Sequence, residues 1–426
     1  MSLVSDKLTA IFKYFSHKIS LKEMASTIYG IISDVHEHPE HVATAVDALI
    51  ANGAQKLIFN GDAVDETKSI RQSQNNLRTT IQTLAKTGID FYFQPGSHER
   101  MATILPVIRE LQKQYGNLHF TIDQPFLQGD NHDLLFIPGS DSLNTGEFQI
   151  TTELPSGPYF LVPDPIQKQT RPIGIGLDDL TDELLNLMHP GQSQQRYIIN
   201  PNDLAKYIRD GAKTIAICHV PSKSNNKQYG VDVAYFGRQQ NGAIIPGIVL
   251  ERQIIDHVRK QANRDPTREE IYQIALQNGI QLQIDNVGNE DLRDFYQKHG
   301  ITRAINGHIH EAGHRSHTTD DQPLKQNEWT NNLLWNSGCL DMNQCGLMEV
   351  DGPNVRYRNI QINQSSNYGL NLPPIQQTGA PSSKIILPGQ EPRPPQPNQQ
   401  QPAPRPTGII TPGQISTNDL KRYQRQ

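Results

Sequence analysis

Residues 28–36 read Ile-Tyr-Gly-Ile-Ile-Ser-Asp-Val-His: a short apolar, β-branched run that ends on a carboxylate and an imidazole. Ile28 to Ser33 has the length and composition of a buried strand. Pro39 then opens a helix whose apolar residues Val42, Val46, Leu49 and Ile50 share one face, with Gly53 as its stop. Lys56 to Asn60 reads as the next strand and ends on Gly61 and Asp62. Ile70, Leu77, Ile81 and Leu84 keep helical spacing up to Gly88, and Ile89 to Phe93 is a third strand that ends at Pro95 and Gly96. Strands and helices that alternate in this way build right-handed βαβ units on a largely parallel sheet. Sheets of this class bind ligands in the crevice beyond the carboxyl ends of their strands, which is where the polar residues recur here.

Farther along, strands are expected at Leu134–Ile137, Lys213–Cys218, Thr302–Asn306 and Asn332–Trp335. A closing hairpin is expected to pair Leu347–Val350 with Val355–Ile360, turning at Asp351 and Gly352. Pro155, Pro158, Pro163, Pro165, Pro172 and Pro190 punctuate residues 141–211, which are expected to form a loop-rich insert. Residues 222–300 are expected to form a helical insert, with helices over Ile248–Ala262, Pro266–Gly279 and Glu290–His299, because a structureless loop of that length is uncommon.

The chain has 426 residues, 35% of them hydrophobic and 19% charged, with a formal net charge of −5. No run approaches the ~20 apolar residues needed to cross a bilayer. No secretory signal pattern opens the chain, so a soluble, cytoplasmic protein with no membrane partner is expected. Cys218, Cys339 and Cys345 are odd in number and lack metal-ligand spacing, which excludes a disulfide framework or zinc knuckle as the organising element. Residues 363–426 hold 12 of the 29 prolines and many glutamines. That composition cannot bury enough apolar surface to offset chain entropy, and a disordered tail is expected there. The tail carries +4, which leaves −9 on residues 1–362. A body this acidic disfavours a broad nucleic-acid surface, and the tail's composition names no protein partner.

The strand ends, taken in order, give Asp34-Val35-His36, Gly61-Asp62-Ala63-Val64-Asp65, Gly96-Ser97-His98-Glu99, Cys218-His219 and Gly307-His308-Ile309-His310. Carboxylate and imidazole are the ligands that Mn²⁺, Fe²⁺ and Zn²⁺ accept. In extended backbone, residues i and i+2 face the same side, which would aim Asp34 with His36, and His308 with His310, into one cleft.

This ordered set resembles the calcineurin-like metallophosphoesterase superfamily, whose pattern is Asp-x-His, Gly-Asp-x-x-Asp, Gly-Asn-His-Asp/Glu, a single His and Gly-His-x-His, here with Asn336-Ser337-Gly338 trailing. The resemblance implies a four-layer α/β/β/α sandwich with mixed sheets and two divalent metal ions, Mn or Fe before Zn, at the carboxyl ends of the strands. It implies that Asp34, His36 and His310 hold the first metal, that Asp62 bridges, and that His219 and His308 hold the second. His98 would assist the leaving group, oriented by Glu99. Arg100, just after this motif, could reach a substrate phosphate, with a surface salt bridge as the favoured alternative. Ser97 stands where the family supplies a metal-ligating Asn, and its shorter, neutral hydroxyl is expected to weaken the second site. Paired cations lower the pKa of a water and neutralise phosphoryl oxygens, so the implied reaction is hydrolysis of a phosphate ester, by a phosphatase or a phosphodiesterase.

Two other readings stay open at this level. One is a scaffold that keeps the fold without turnover, with Ser97 as the first sign. The other is a nuclease of the same superfamily, for which Arg238, Arg252, Lys260 and Arg264 would line the cleft. His38, His41, His314 and His317 are expected to be exposed or to stand behind the ligands, and Cys218 to pack as a small apolar residue.

Overall fold

The computed structural model describes residues 26–65, 69–140, 146–164, 169–174, 195–240, 242, 244–262, 264 and 266–362. The expected tail, 363–426, lies outside the described residues. In chain order the first half runs β1 (Thr27–Ile32), α1 (Glu40–Ala51), β2 (Lys56–Asn60), α2 (Ile70–Ala85), β3 (Phe91–Gln94), α3 (Met101–Gln112), β4 (Leu118–Phe120), β5 (Phe126–Gln128), β6 (Asp133–Ile137) and β7 (Phe148–Ile150). The second half runs β8 (Gly157–Asp164), β9 (Gln169–Gly174), β10 (Gln195–Ile199), α4 (Pro201–Leu204), β11 (Thr214–Cys218), β12 (Val233–Gln239), β13 (Ile244–Pro246), α5 (Gly247–Ala262), α6 (Arg268–Gln277), β14 (Ile280–Asn286), α7 (Glu290–His299), β15 (Arg303–Asn306), β16 (Ser316–His317), β17 (Leu333–Asn336), β18 (Gln344–Asp351) and β19 (Asn354–Gln361). No helix among the described residues is long and apolar enough to cross a membrane.

The described residues fall into two compact units, the larger drawn from those within 26–156, 198–233 and 286–362, the smaller from those within 157–197 and 234–285. The larger holds two six-stranded mixed sheets, ordered β19-β18-β1-β2-β3-β4 and β16-β17-β15-β11-β6-β5. Strands β1 to β4 run parallel, and β18 and β19 add antiparallel at one edge. In the second sheet β6, β11, β15 and β17 are parallel, with β5 and β16 as antiparallel edges.

Side-chain alternation along these strands explains the layers. Tyr29, Ile31, Ile58 and Tyr92 of the first sheet share one buried cluster with Leu134, Phe136, Ile215, Ile217, Ile305 and Trp335 of the second. The opposite parity of the first sheet, Ile32, Leu57, Phe59, Phe91 and Phe93, is buried as well. A Cβ added at Gly30, on that face, would meet Leu49 of α1 at 3.1 Å, which puts the helix there. Tyr296 of α7 is buried near Cys218 of β11, on the face opposite Ile215 and Ile217. Helix, sheet, sheet and helix therefore stack in that order, and each fully buried Leu, Ile or Phe adds about 1.5–3 kcal/mol relative to exposure.

The expected strands and helices of the βαβ half are present within a residue or two of their ends. The loop-rich reading of 141–211 is not how the described part is built, since β8 and β9 form an antiparallel hairpin. Pro163 faces Thr170 and Pro172 faces Leu161, which are pairs of the same parity. Alternate pairs of an antiparallel ladder exchange no hydrogen bond, so one register can seat both prolines across this hairpin. The helical reading of 222–300 is likewise incomplete, because β12, β13 and β14 form a three-stranded sheet in the smaller unit. In β12, Val233, Tyr235 and Gly237 alternate as buried positions, a period of two that the flanking helical signals masked. Leu250 and Ile254 of α5 pack with Ile271 and Ala275 of α6 and with Ile280 of β14. The closing hairpin pairs Asp351 with Asn354, so its turn is Gly352-Pro353, one residue later than expected.

Candidate metal centre

Every polar motif sits just past the carboxyl end of a parallel strand. Asp34 and His36 follow β1, Asp62 follows β2, and Ser97, His98 and Glu99 follow β3. From the second sheet, His219 follows β11, and His308 and His310 follow β15. Because the sheets lie face to face, these ends meet.

The convergence does not come from strand alternation. Asp34 has φ 56°, His36 45°, Asp62 57° and His308 65°, all in the left-handed region. Such backbone costs non-glycine residues of order 1 kcal/mol each and persists where the surroundings over-determine it. Here the turns are clamped to each other: Asp34 N–H donates to Gly61 O at 3.0 Å, and Val35 and His36 N–H both donate to Asp62 O at 2.8 and 3.0 Å. Two glycines permit the approach. A Cβ at Gly96 would lie 2.4 Å from Asp62 Oδ1, and one at Gly307 would lie 2.5 Å from Asp34 Oδ2.

Asp34 is fully buried. Its carboxylate accepts the His308 N–H at 3.1 Å, and its Oδ1 lies 3.3 Å from His310 Nε2 and 3.8 Å from His36 Nε2. The two imidazole nitrogens of His36 and His310 face each other at 3.1 Å. Asp62 Oδ2 lies 2.9 Å from His219 Nε2 and 4.0 Å from both His36 Nε2 and His98 Nε2. Ligand-type atoms of Asp34, His36 and His310 lie within 4.8 Å of one another, as do those of Asp62, His219 and His308.

The tautomers favour cation binding. His219 Nδ1 donates to Asn60 O at 2.7 Å, which leaves Nε2 aimed at the Asp62 carboxylate in a buried position. A lone pair against a carboxylate, and two imidazole nitrogens nose to nose, are repulsive unless a proton or a cation stands between them. In the protein alone a proton serves: burial opposes it, but Asp62 and Asp34 raise His219 to about 9. His310 likewise reaches about 9, with burial opposed by Asp34 and Asp341. Asp34 and Asp62 are held well below the usual carboxylate range by these imidazoles, against their burial. His308 is pushed down to about 3 by burial and by His219, so it offers a neutral nitrogen. Neighbouring ligand atoms around one ion, on bonds of about 2.0–2.2 Å, lie about 3 Å apart. The donor set and its spacing fit divalent cations.

Of the residues singled out from the sequence, Asp34, His36, Asp62, Ser97, His98, His219, His308 and His310 come together. Ser97 Oγ donates to Asp62 Oδ2 at 2.8 Å, and its N–H donates to Oδ1 at 2.6 Å. Glu99 takes a different place from the one expected. Instead of holding the His98 ring, its carboxylate accepts the N–H groups of Asp62 at 3.1 Å, Ala63 at 2.6 Å and Gly96 at 2.7 Å. Burial and Asp62 push Glu99 up to about 7, against the pull of the Gly96 and Ala63 N–H groups and of His219. Arg100 caps α3, its carbonyl accepting the Thr103 and Ile104 N–H groups. His314 donates to Cys345 O at 3.0 Å, and His38 and His41 stack on each other at 5.5 Å.

Sequence reasoning passed over three residues. Asp65, the last residue of the Gly-Asp-x-x-Asp run, places Oδ1 3.7 Å from His98 Nδ1. Glu37 accepts the Asp65 N–H at 3.0 Å and the Ser73 hydroxyl at 2.5 Å, which ties that loop to α2. Asp341 stands 3.7 Å from His310 Nδ1, and no spacing pattern points to it.

A profile of the calcineurin-like phosphoesterase family matches residues 29–312. Similar solved structures include TT1561 of Thermus thermophilus, at 8% identity and a TM-score of 0.44 over 80% of this chain and all of that one. Another is a dimetal phosphatase from Danio rerio, at 10% identity and a TM-score of 0.36 over 79% of this chain and 99% of that one. No curated protein matches the chain.

Proposed function

Because the chain belongs to the calcineurin-like phosphoesterase family, we propose that it hydrolyses a phosphate ester at a two-cation centre built from the strand-end residues. Asp34, His36 and His310 would hold one cation, and His219 and His308 the other, with Asp62 shared. Bound Mn²⁺ or Fe²⁺, or failing those Zn²⁺, would lower the pKa of a water and neutralise phosphoryl oxygens. The protein's own groups do the rest. Asn60 fixes the His219 tautomer through its carbonyl. Glu99 anchors the three N–H groups of the Asp62 and Gly96 turns, and so fixes how far apart those turns stand. His98, the most exposed of the clustered imidazoles at 39% and with Asp65 beside its Nδ1, would give a proton to the departing oxygen.

The observation that carries this reading is the 3.1 Å approach of His36 Nε2 to His310 Nε2 beside Asp34. The test is Mn²⁺-dependent release of nitrophenol from p-nitrophenyl phosphate and its bis ester. Release should be lost in Asp62→Asn and fall by about 10²–10⁴-fold in His98→Ala. A wild-type protein inactive with Mn²⁺, Fe²⁺, Co²⁺ and Zn²⁺ overturns it. The hydroxyl of Ser97 is engaged by Asp62, which favours a scaffold as the second reading. Protein purified without chelator and free of bound metal would support the scaffold.

A further inference from the structure

Asp341 lies in a short 3-10 turn, Leu340–Met342, that follows Asn336-Ser337-Gly338. The turn is docked on the strand end that carries Asp34. Leu340 N–H donates to Ser33 O at 2.9 Å, Asp341 N–H to Asp34 O at 3.0 Å, and Ser33 Oγ to Gly338 O at 2.8 Å. This brings the Asp341 carboxylate behind the imidazole of His310. His310 Nε2 faces Asp34, while its Nδ1 is buried and makes no hydrogen bond. The acceptor beside that nitrogen is Asp341 Oδ1, at 3.7 Å. The gap is about 0.8 Å beyond an ordinary N–H···O bond.

We propose that Asp341 is the positioning residue of the first cation site: it takes the Nδ1–H of His310 and so presents Nε2 to the metal, while the Cys339 thiol holds Asp341 in place. The proposal rests on the reading of His310 as a ligand. A histidine that ligates through one nitrogen almost always donates its other N–H to a carboxylate, carbonyl or water, which fixes its tautomer and makes it a better donor. Cys339 Sγ donates to Asp341 Oδ1 at 2.8 Å. An S–H that donates is a neutral thiol and not a thiolate ligand. The cluster of His310, Cys339 and Asp341, whose ligand-type atoms lie within 4.8 Å of one another, therefore orients His310 instead of forming a third cation site.

The test is calorimetric titration of full-length, metal-free protein with Mn²⁺ alone, together with the visible absorption of the Co²⁺-loaded first site. Asp341→Ala should weaken the tighter Mn²⁺ step by about 10–100-fold and shift the Co²⁺ bands. Asp341→Asn, near-isosteric and the safer variant for folding, keeps a neutral acceptor and should lose several-fold. Cys339→Ser keeps a donor and should bind like wild type, whereas Cys339→Ala should fall between. Wild-type affinity and unchanged Co²⁺ bands in whichever Asp341 variant folds, with binding lost in His310→Ala, overturn the role of Asp341 alone. Unaltered Mn²⁺ binding in His310→Ala overturns both this role and the site it rests on.

Discussion

The carboxylate of Glu99 accepts the backbone N–H of Asp62 at 3.1 Å, and through the adjoining Ala63 and Gly96 N–H groups it joins the turn after β2 to the turn after β3. Glu99 is fully buried, so these donors have no water to turn to. Glu99→Gln would set an amide NH₂ against N–H groups and leave buried donors unmet, each costing about 1–3 kcal/mol. A loss of at least about 2 kcal/mol in urea unfolding is expected for metal-free Glu99→Gln. His98→Ala, with a 39% exposed side chain, should change stability by no more than about 0.5 kcal/mol. Equal stability of Glu99→Gln and wild type would remove Glu99 from this role.

Ser97 donates both Oγ–H and N–H to Asp62. Ser97→Asn supplies a carbonyl oxygen that reaches farther and can ligate. Two-step metal titration should show the weaker step tightened and the tighter one nearly unchanged. No change in the weaker step would sink the idea.

Cations that bind the folded centre stabilise it by mass action, by about 2.7 kcal/mol at a free concentration one hundred times the dissociation constant. Thermal unfolding of wild type should therefore rise with Mn²⁺ and fall back with chelator. Asp34→Asn, which weakens the carboxylate between His36 and His310, should abolish most of that rise. A full Mn²⁺-induced rise in Asp34→Asn would exclude Asp34 as a ligand.

His132 is buried, its Nδ1 2.6 Å from Asn131 Oδ1 and its Nε2 2.7 Å from Tyr29 Oη. Burial, with Arg303 and Lys56 nearby, pushes His132 down to about 4 from its ordinary 6.5. Below 6.5 the unfolded chain takes a proton that the folded chain refuses. The contribution of this neutral pair is therefore complete above 6.5 and is lost as pH falls towards 4. The loss amounts to about 3 kcal/mol. Urea midpoints at pH 7 and pH 4.5 should differ less in His132→Gln than in wild type, and equal differences would discharge His132.

The strand-end motifs and their order were legible from one sequence because each ligand follows directly on an apolar run, and because parallel strands in a βαβ half must send their carboxyl ends the same way. The strands of the smaller unit were not, because period-two alternation in Val233–Gln239 lies among stronger helical signals, and because proline in the β8 and β9 hairpin reads as a breaker until the partner strand sets its parity.

Within the site, residue types determined the donor chemistry: carboxylates and imidazoles in this order, with a serine where the family has asparagine. The tertiary structure alone decided how they act together. The left-handed backbone at Asp34, His36, Asp62 and His308 replaces the strand alternation that spacing suggested. The turn of Glu99 towards backbone N–H groups, the place of Asp65 beside His98 and that of Asp341 behind His310 join chain segments 31 to 36 residues apart, at the ends of different strands. Local sequence encodes the strand and the residue that ends it. Which nitrogen faces which oxygen is set by the packing of two sheets whose facing residues share no local pattern.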